Sequence, residues 1–112
     1  MANFEPWDII KVPFPYTNRP VQQNRPALVV GQYSHPGSPA LLWVLMITSA
    51  QHRRWHGDIT VSDTGMAGLP APSIIRCAKI ATIEALDATK IGRLPLDDRA
   101  LVRAAISAVV VS

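Results

Sequence analysis

Short apolar segments alternate with stretches rich in proline, glycine and polar residues over the first two-thirds of the chain. Five of these segments have the length and composition of β-strands, at residues 7–12, 27–32, 40–48, 58–62 and 73–82. The segment 40–48 (ALLWVLMIT) is apolar on both faces, which predicts a central strand buried on two sides. Because proline lacks the amide donor that a central strand needs, we expect Pro13 and Pro15 to lie at a strand end or on an edge, and Pro26 to begin the second strand.

The C-terminal segment follows a helical period instead. Asp97 is a candidate N-cap, and Asp98 suits the positive end of a helix dipole. One apolar stripe recurs at three- and four-residue spacing: Leu101, Val102, Ala105, Ile106, Val109 and Val110. Five or six short strands and a terminal helix predict a mainly β domain, built as a strongly bent sheet or partly closed barrel.

The composition describes one small domain, residues 1–112, with apolar surface to spare. A chain of 112 residues buries a single modest core, and its 48% hydrophobic content suggests a surface reserved for a partner. The longest apolar run, residues 40–47, is far too short to span a membrane. Cys77 is the single cysteine, so no internal disulfide is possible, which fits a reducing cytoplasm.

The net charge of +3 is unevenly distributed. No acid lies between Asp8 and Asp58, a stretch with five basic residues: Lys11, Arg19, Arg25, Arg53 and Arg54. The acid-free stretch between residues 63 and 84 adds Arg76 and Lys79. A basic face of this kind suits a nucleic-acid partner, although a merely solvated basic surface would give the same pattern.

Arg25 is the strongest candidate for contact with a phosphate. It follows a polar loop, residues 16–24, and directly precedes the apolar strand PALVV. Arginine presents five donors in a rigid fork that matches phosphate, and a strand holds such a side chain more precisely than a loop does. The alternative is a surface ion pair.

A basic and aromatic cluster, HRRWH, occupies residues 52–56. Arg53 and Arg54 can hold phosphates while Trp55 stacks on an unpaired base. The alternative is a solvated loop with Trp55 packed against the edge of the barrel. The two histidines lack further ligands at metal-binding spacing, so we expect no metal.

Several blocks of sequence, in this order, resemble the MazF/PemK family of type II toxin–antitoxin endoribonucleases. They cover nearly the whole chain: residues 7–15, residues 24–30, the Ile-Thr-Ser step at 47–49, GLP followed by SIIRC at 68–77, and IGRL at 91–94. The resemblance implies a small SH3-like barrel with a C-terminal α-helix. It also implies a homodimer, a cognate antitoxin as partner, and cofactor-free, metal-independent, sequence-specific cleavage of single-stranded mRNA, which inhibits growth.

In such cleavage the substrate's own 2′-hydroxyl is the nucleophile, so the protein supplies charge stabilisation and proton transfer. We assign charge stabilisation to Arg25. The resemblance implies that Thr48 donates a hydroxyl hydrogen bond beside the scissile phosphate, and that Ser49 and Arg76 contact RNA together with Arg53, Arg54 and Trp55.

The sequence departs from the family pattern at three places. Ala78 replaces the acid that follows Arg-Cys in PemK relatives, and the loop at 16–24 lacks the histidine of some PemK toxins. An acid–base pair of the PemK kind therefore cannot be transferred to this chain. Trp7 stands where the family usually has glycine.

Two alternatives follow. One is a gyrase-poisoning toxin with the same barrel, although such toxins act through a Trp-Gly-Ile ending and residues 109–112 read VVVS. The other is an RNA-binding or antitoxin-binding module without nuclease activity.

Overall fold

The computed structural model describes residues 3–15 and 22–110. Its strands are β1 (Asp8–Pro15), β2 (Gln22–Tyr33), β3 (Leu41–Ser49), β4 (Asp58–Thr60), β5 (Ser73–Glu84) and β6 (Thr89–Arg93). The helices are α1 (Thr64–Ala67) and α2 (Leu96–Val110), with a 3-10 turn at Ala85–Asp87. Most of the predicted polar loop, with Arg19, lies outside the described residues, as does the very end of the chain.

The strands form one antiparallel sheet in the order β4-β5-β3-β2-β1-β6. The prediction of a mainly β fold with a terminal helix is confirmed. Strand pairing among the described residues leaves the sheet open, with β4 and β6 at its edges. None of the described helices has the length and apolar content needed to cross a membrane.

The predicted central strand is confirmed, because β3 lies between β2 and β5. Alternate residues of β3 enter two separate hydrophobic clusters: Leu45 and Ile47 belong to one, Val44 and Met46 to the other. Such alternation follows from the two-residue period of a strand. A strand that is apolar on both faces is therefore buried on both faces.

Pro13 and Pro15 lie at the end of a strand with a free edge, as predicted, but Pro26 does not begin its strand. β1 runs through Pro13 to Pro15, and β2 begins at Gln22, so Pro26 lies inside it. The reason is that each proline lies where one neighbouring strand is missing: β1 pairs with β6 only as far as Lys11, and β2 pairs with β3 only from Ala27 onward. Prolines fit strands with a free side.

The terminal helix begins earlier than predicted. Its first residue is Leu96, so Asp97 is in the first turn and is not the N-cap. Asp98 is buried, and its Oδ2 accepts hydrogen bonds from the amide and the hydroxyl of Ser62, at 2.8 and 3.0 Å. Leu101, predicted to face the core, is 54% exposed, whereas Val102 is fully buried. The stripe that packs on the sheet is therefore narrower than predicted.

Two glycines bring the end of α1 directly onto β6. Gly68 has a φ of 72°, and a Cβ there would lie 1.9 Å from the carbonyl oxygen of Ile91. A Cβ on Gly92 would lie 2.3 Å from the carbonyl carbon of Ala67. Only glycine permits this contact between backbones. It fixes the start of the segment 68–73, which forms one wall of the site described below.

Candidate functional site

Two cavities open side by side where β2 and β3 separate. The first, of about 440 Å³, has an apolar wall formed by residues 68–73, and we call it the proline-side cavity. The second, of about 310 Å³, is lined by basic and aromatic side chains, and we call it the cationic cavity. Of the described residues, four line both cavities: Arg25, Ile47, Thr48 and His52. The two predicted catalytic residues therefore stand at the boundary between the cavities.

The strand register explains why Arg25, Thr48 and Arg76 share one face of the sheet. At this end of the sheet the last pair of β2 and β3 is Ala27 and Met46. Arg25 lies two residues before Ala27 and Thr48 lies two residues after Met46, so their side chains project from the same face. Met46 also pairs with Arg76 of β5, which brings that arginine onto this face too.

A tight turn returns the chain over Thr48 as soon as β3 ends. The amide of His52 donates to the carbonyl of Ser49 at 3.1 Å, and the amide of Gln51 donates to the Ser49 hydroxyl at 3.2 Å. The turn places His52 Nδ1 2.6 Å from Thr48 Oγ1. Ser49 lines the proline-side cavity and shapes this turn, and its predicted contact with RNA stays a prediction.

Arg76 is buried, with 8% of its surface exposed, and it has several partners. Its Nη2 donates to the backbone oxygen of Arg53, and its Nε lies 3.8 Å from Asp58 Oδ2. The guanidinium carbon lies 4.1 Å from the ring centroid of Trp55. Arg76 thus holds the loop 50–57 in place and lines the cationic cavity at the same time. Its predicted contact with RNA stays a prediction.

The ring of Trp55 is packed against the protein on one side and accessible to a base on the other, so features of both arrangements predicted from the sequence are present. One face of its ring lies against Arg76, yet 46% of the residue remains exposed. Its amide donates to Asp58 Oδ2 at 2.8 Å, which anchors the residue at the start of β4. The ring lines the cationic cavity, where a base could stack on it.

The two adjacent arginines of the loop diverge. Arg53 lines the cationic cavity. Arg54 lines neither cavity, because its Nη2 donates to the hydroxyl of Thr60 at 3.0 Å, on the edge strand β4. The structure therefore brings Arg53, and not Arg54, together with Arg25 and Thr48.

The charged residues that line the two cavities are all basic in the part of the chain that the structure describes. Its cations come from four different places, namely β1, β2, the loop 50–57 and β5: Lys11, Arg25, Arg53, Arg76 and Lys79. No aspartate or glutamate is among the described lining residues. Such a surface is suited to an anionic backbone, with a neutral hydroxyl, Thr48, at its centre.

The sequence profile of the PemK-like, MazF-like toxins of type II toxin–antitoxin systems matches residues 5–110. The chain belongs to this family. No curated protein sequence is similar enough to match it.

Solved structures of MazF toxins share the fold. The Mycobacterium tuberculosis toxin MazF-mt6 superposes with a TM-score of 0.68 and 21% sequence identity, covering 90% of this chain and 93% of that one. A MazE–MazF structure from Deinococcus radiodurans gives 0.69 and 18%, covering 99% and 98%. An endoribonuclease in complex with its cognate antitoxin, from a mycobacterial species, gives 0.69 and 12%, covering 92% and 90%.

Trp7, where the MazF/PemK family usually has glycine, keeps a backbone conformation that favours glycine. Its φ is 79°, a left-handed value that costs a residue with a side chain about 1–2 kcal/mol. The ring packs against the hydrophobic cluster beneath α2, and the guanidinium of Arg103 lies 5.2 Å from its centroid. The turn is further held by hydrogen bonds from its amide to Val29 O at 2.8 Å and from Leu94 N to its carbonyl at 2.9 Å. These contacts offset the cost of the unusual conformation.

Sequence reasoning missed the position of His52. It treated this residue only as part of a basic cluster and as an unsupported zinc ligand. The described residues contain no group of three or more His, Cys, Asp and Glu arranged to hold a metal. The available signal was a histidine four residues after Thr48, but that spacing brings two side chains together only in a helix or across a tight turn, and the turn at Ser49 could not be foreseen.

Proposed function

We propose that residues 1–112 form a single toxin domain that cleaves single-stranded mRNA in the cytoplasm, without a metal or cofactor, and so inhibits growth. The observation that carries this proposal is the convergence of Arg25 and Thr48 on the boundary between two cavities with a basic lining. A strand of RNA that crossed this boundary would place one phosphate beside both side chains and a base in each cavity.

In the proposed reaction, the 2′-hydroxyl of the substrate attacks the adjacent phosphorus, and the 5′-oxygen leaves. Negative charge accumulates on the non-bridging oxygens in the transition state. The fork of Arg25 stabilises that charge, and the Thr48 hydroxyl donates a further hydrogen bond. The products are a 2′,3′-cyclic phosphate and a 5′-hydroxyl. No protein nucleophile is needed.

Base selection belongs to the cavity walls. Trp55 and Arg76 offer a stacking face and cationic edges in the cationic cavity. Asn24 and Ser73 offer hydrogen-bonding groups beside the apolar wall of the proline-side cavity. A sequence-specific enzyme would read one base with each set.

We infer two protein partners, a second copy of the chain and an antitoxin. Two of the similar structures are toxin–antitoxin complexes. A large apolar patch on the sheet also supports an interface: Tyr33, Trp43 and Ile80 are each about 40–50% exposed and lie on one face of neighbouring strands. We propose an isologous homodimer. Light scattering at micromolar concentration should give twice the mass of one chain, and the mass of one chain would contradict this.

Incubation of the purified protein with single-stranded RNA in EDTA tests the enzymatic proposal. We expect fragments with 5′-hydroxyl ends, which polynucleotide kinase labels without prior phosphatase treatment. The matched DNA strand should stay intact because it lacks the nucleophile. Intact RNA under these conditions would overturn the proposal and would favour a binding module without nuclease activity. Equal cleavage of the DNA would overturn the proposed attack by the 2′-hydroxyl.

A further inference from the structure

His52 occupies a fixed position at the centre of the candidate site. Its Nδ1 is 2.6 Å from Thr48 Oγ1, and the residue lines both cavities together with Arg25. Its opposite ring nitrogen, Nε2, has no hydrogen-bonding partner among the residues that the structure describes. The ring is therefore anchored on one side and open on the other.

The charged groups that line the same two cavities as His52 are poorly suited to accept a proton. Those of the described chain are Lys11 from β1, Arg25 from β2, Arg53 from the loop of His52, and Arg76 and Lys79 from β5. Arginine and lysine side chains ordinarily keep their protons at neutral pH, whereas imidazole exchanges its proton in that range. With no carboxylate in the described lining, His52 is the group suited to act as a base.

The hydrogen bond with Thr48 determines which nitrogen is basic. If the Thr48 hydroxyl is to donate toward a phosphate, its oxygen must accept the hydrogen bond from His52. Nδ1 then carries the proton. In a neutral imidazole the other nitrogen has the lone pair, so Nε2 becomes the acceptor.

We propose that His52 Nε2 takes the proton of the substrate's 2′-hydroxyl, a role that rests on the ribonuclease function proposed above. The 2′-oxygen forms its bond to phosphorus as the proton moves to Nε2, and the bond from phosphorus to the 5′-oxygen breaks. The leaving 5′-oxygen takes a proton from water, and the imidazolium returns its proton to the hydroxide so formed. His52 thereby replaces the acid–base pair that this chain lacks.

The test compares three proteins: wild type, His52→Asn and His56→Asn. Asparagine at position 52 can still donate to Thr48 but cannot act as a base near neutral pH. His56 lies in the same loop and lines neither cavity, which makes it a matched control. The substrate is an RNA that the wild-type protein cuts at a mapped site, and binding is measured with the same RNA carrying a 2′-deoxy nucleotide at that site.

We expect His52→Asn to lower kcat/KM by about 10²–10⁴-fold, the usual contribution of a general base, with unchanged binding of the deoxy analogue. The wild-type rate should fall as the pH is lowered, because a protonated His52 ring cannot accept the proton. That fall should be absent in the residual activity of His52→Asn and present in His56→Asn.

Three results would overturn the inference. The first is a His52→Asn protein with wild-type kcat/KM or an unchanged pH profile. The second is an activity loss matched by an equal loss of affinity for the analogue, which would mean a role in binding alone. The third is a wild-type protein that cuts no RNA, which removes the proposed function as well. If His52→Asn melts at a lower temperature, His52→Gln replaces it, and recovery of activity by glutamine would also contradict proton transfer.

Discussion

The guanidinium of Arg76 and the carboxylate of Asp58 face each other across β5 and β4, with 3.8 Å between Arg76 Nε and Asp58 Oδ2. The side chains are only 9% and 0% exposed. The same pair anchors Trp55 and the backbone of Arg53, so one buried ion pair orders the loop that lines the cationic cavity. Its disruption would affect stability and the site together.

The first prediction follows from this burial. Arg76→Ala leaves the Asp58 carboxylate buried without its cation, so we expect a loss of roughly 3–5 kcal/mol in the free energy of unfolding. The double variant Arg76→Met/Asp58→Asn removes both charges and should recover most of that loss. Urea unfolding measures both effects. A double variant as unstable as Arg76→Ala would show that the pair is not the cause.

The second prediction concerns Arg25. We expect Arg25→Ala to reduce RNA cleavage by about 10²–10³-fold, the usual cost of removing one donor aimed at transition-state charge. Arg25→Lys should recover little, because lysine lacks the planar fork. Single-turnover kinetics give the rates, and melting curves show whether the fold is retained. The control is Arg54→Ala, which removes a cation that lines neither cavity. A folded Arg25→Ala protein with normal cleavage would end the assignment.

The third prediction separates the two adjacent arginines. Arg53→Ala should weaken RNA binding alike for all sequences and reduce the log–log salt slope by roughly 0.7, the value for one phosphate of a single strand. Arg54→Ala should leave the slope unchanged, since its guanidinium is bound to Thr60. Fluorescence titrations over a salt series compare them. Equal salt slopes for the two variants would contradict the inference that Arg53 contacts a phosphate and Arg54 does not.

A fourth prediction concerns the left-handed backbone at Trp7. Both Trp7→Ala and Trp7→Gly lose the contacts of the ring, so both should be less stable than the wild type. Glycine should nevertheless be more stable than alanine by about 1 kcal/mol, because only alanine retains the cost of a Cβ at a φ of 79°. The difference is read from paired chemical denaturation curves. An alanine variant that is as stable as the glycine variant, or more stable, would argue against this backbone conformation.

The fifth prediction concerns Cys77. Burial, with a smaller contribution from Asp58, raises the pKa of its thiol from 9.0 to about 11. The thiol has the lower pKa in the unfolded chain, so it loses its proton there first as the pH rises. The contribution of the protonated Cys77 thiol to the free energy of unfolding is therefore complete below pH 9 and is lost as the pH rises toward 11. Between these two pH values the free energy of unfolding of the wild type should fall by up to about 1 kcal/mol per pH unit more than that of Cys77→Ala, because the unfolded state binds fewer protons than the folded state. Parallel stability curves for the two proteins would contradict the shifted pKa.

The features that could be predicted from the sequence are those that depend on neighbouring residues along the chain, such as individual strands. β3 was identified because a run that is apolar at nearly every position indicates burial on both faces. Arg25 was identified from its charge and its place at the start of an apolar strand, and Thr48 was identified by resemblance. The strand register explains why the two lie close together. Pattern alone was wrong about Pro26, because a strand can contain a proline wherever a neighbouring strand is absent, and pairing is not visible in one segment.

The same limit explains the rest of the site. Asp58, the partner of Arg76, is eighteen residues away along the chain and becomes its neighbour only when β4 pairs with β5. His52 reaches Thr48 through a turn whose geometry depends on a hydrogen bond from Ala50 to Pro72, in another part of the fold. Both relationships are tertiary, so neither periodicity nor composition could reveal them.

The glycine contact between α1 and β6 has a consequence for which positions tolerate substitution. Any side chain at Gly68 or Gly92 would collide with backbone atoms, so these two sites are closed to variation. Residues 70–72, immediately beyond, are exposed and line the proline-side cavity. A toxin lineage, or a directed-evolution library, can therefore vary the lining of the cavity at these three positions while the glycine contact beneath it stays constant.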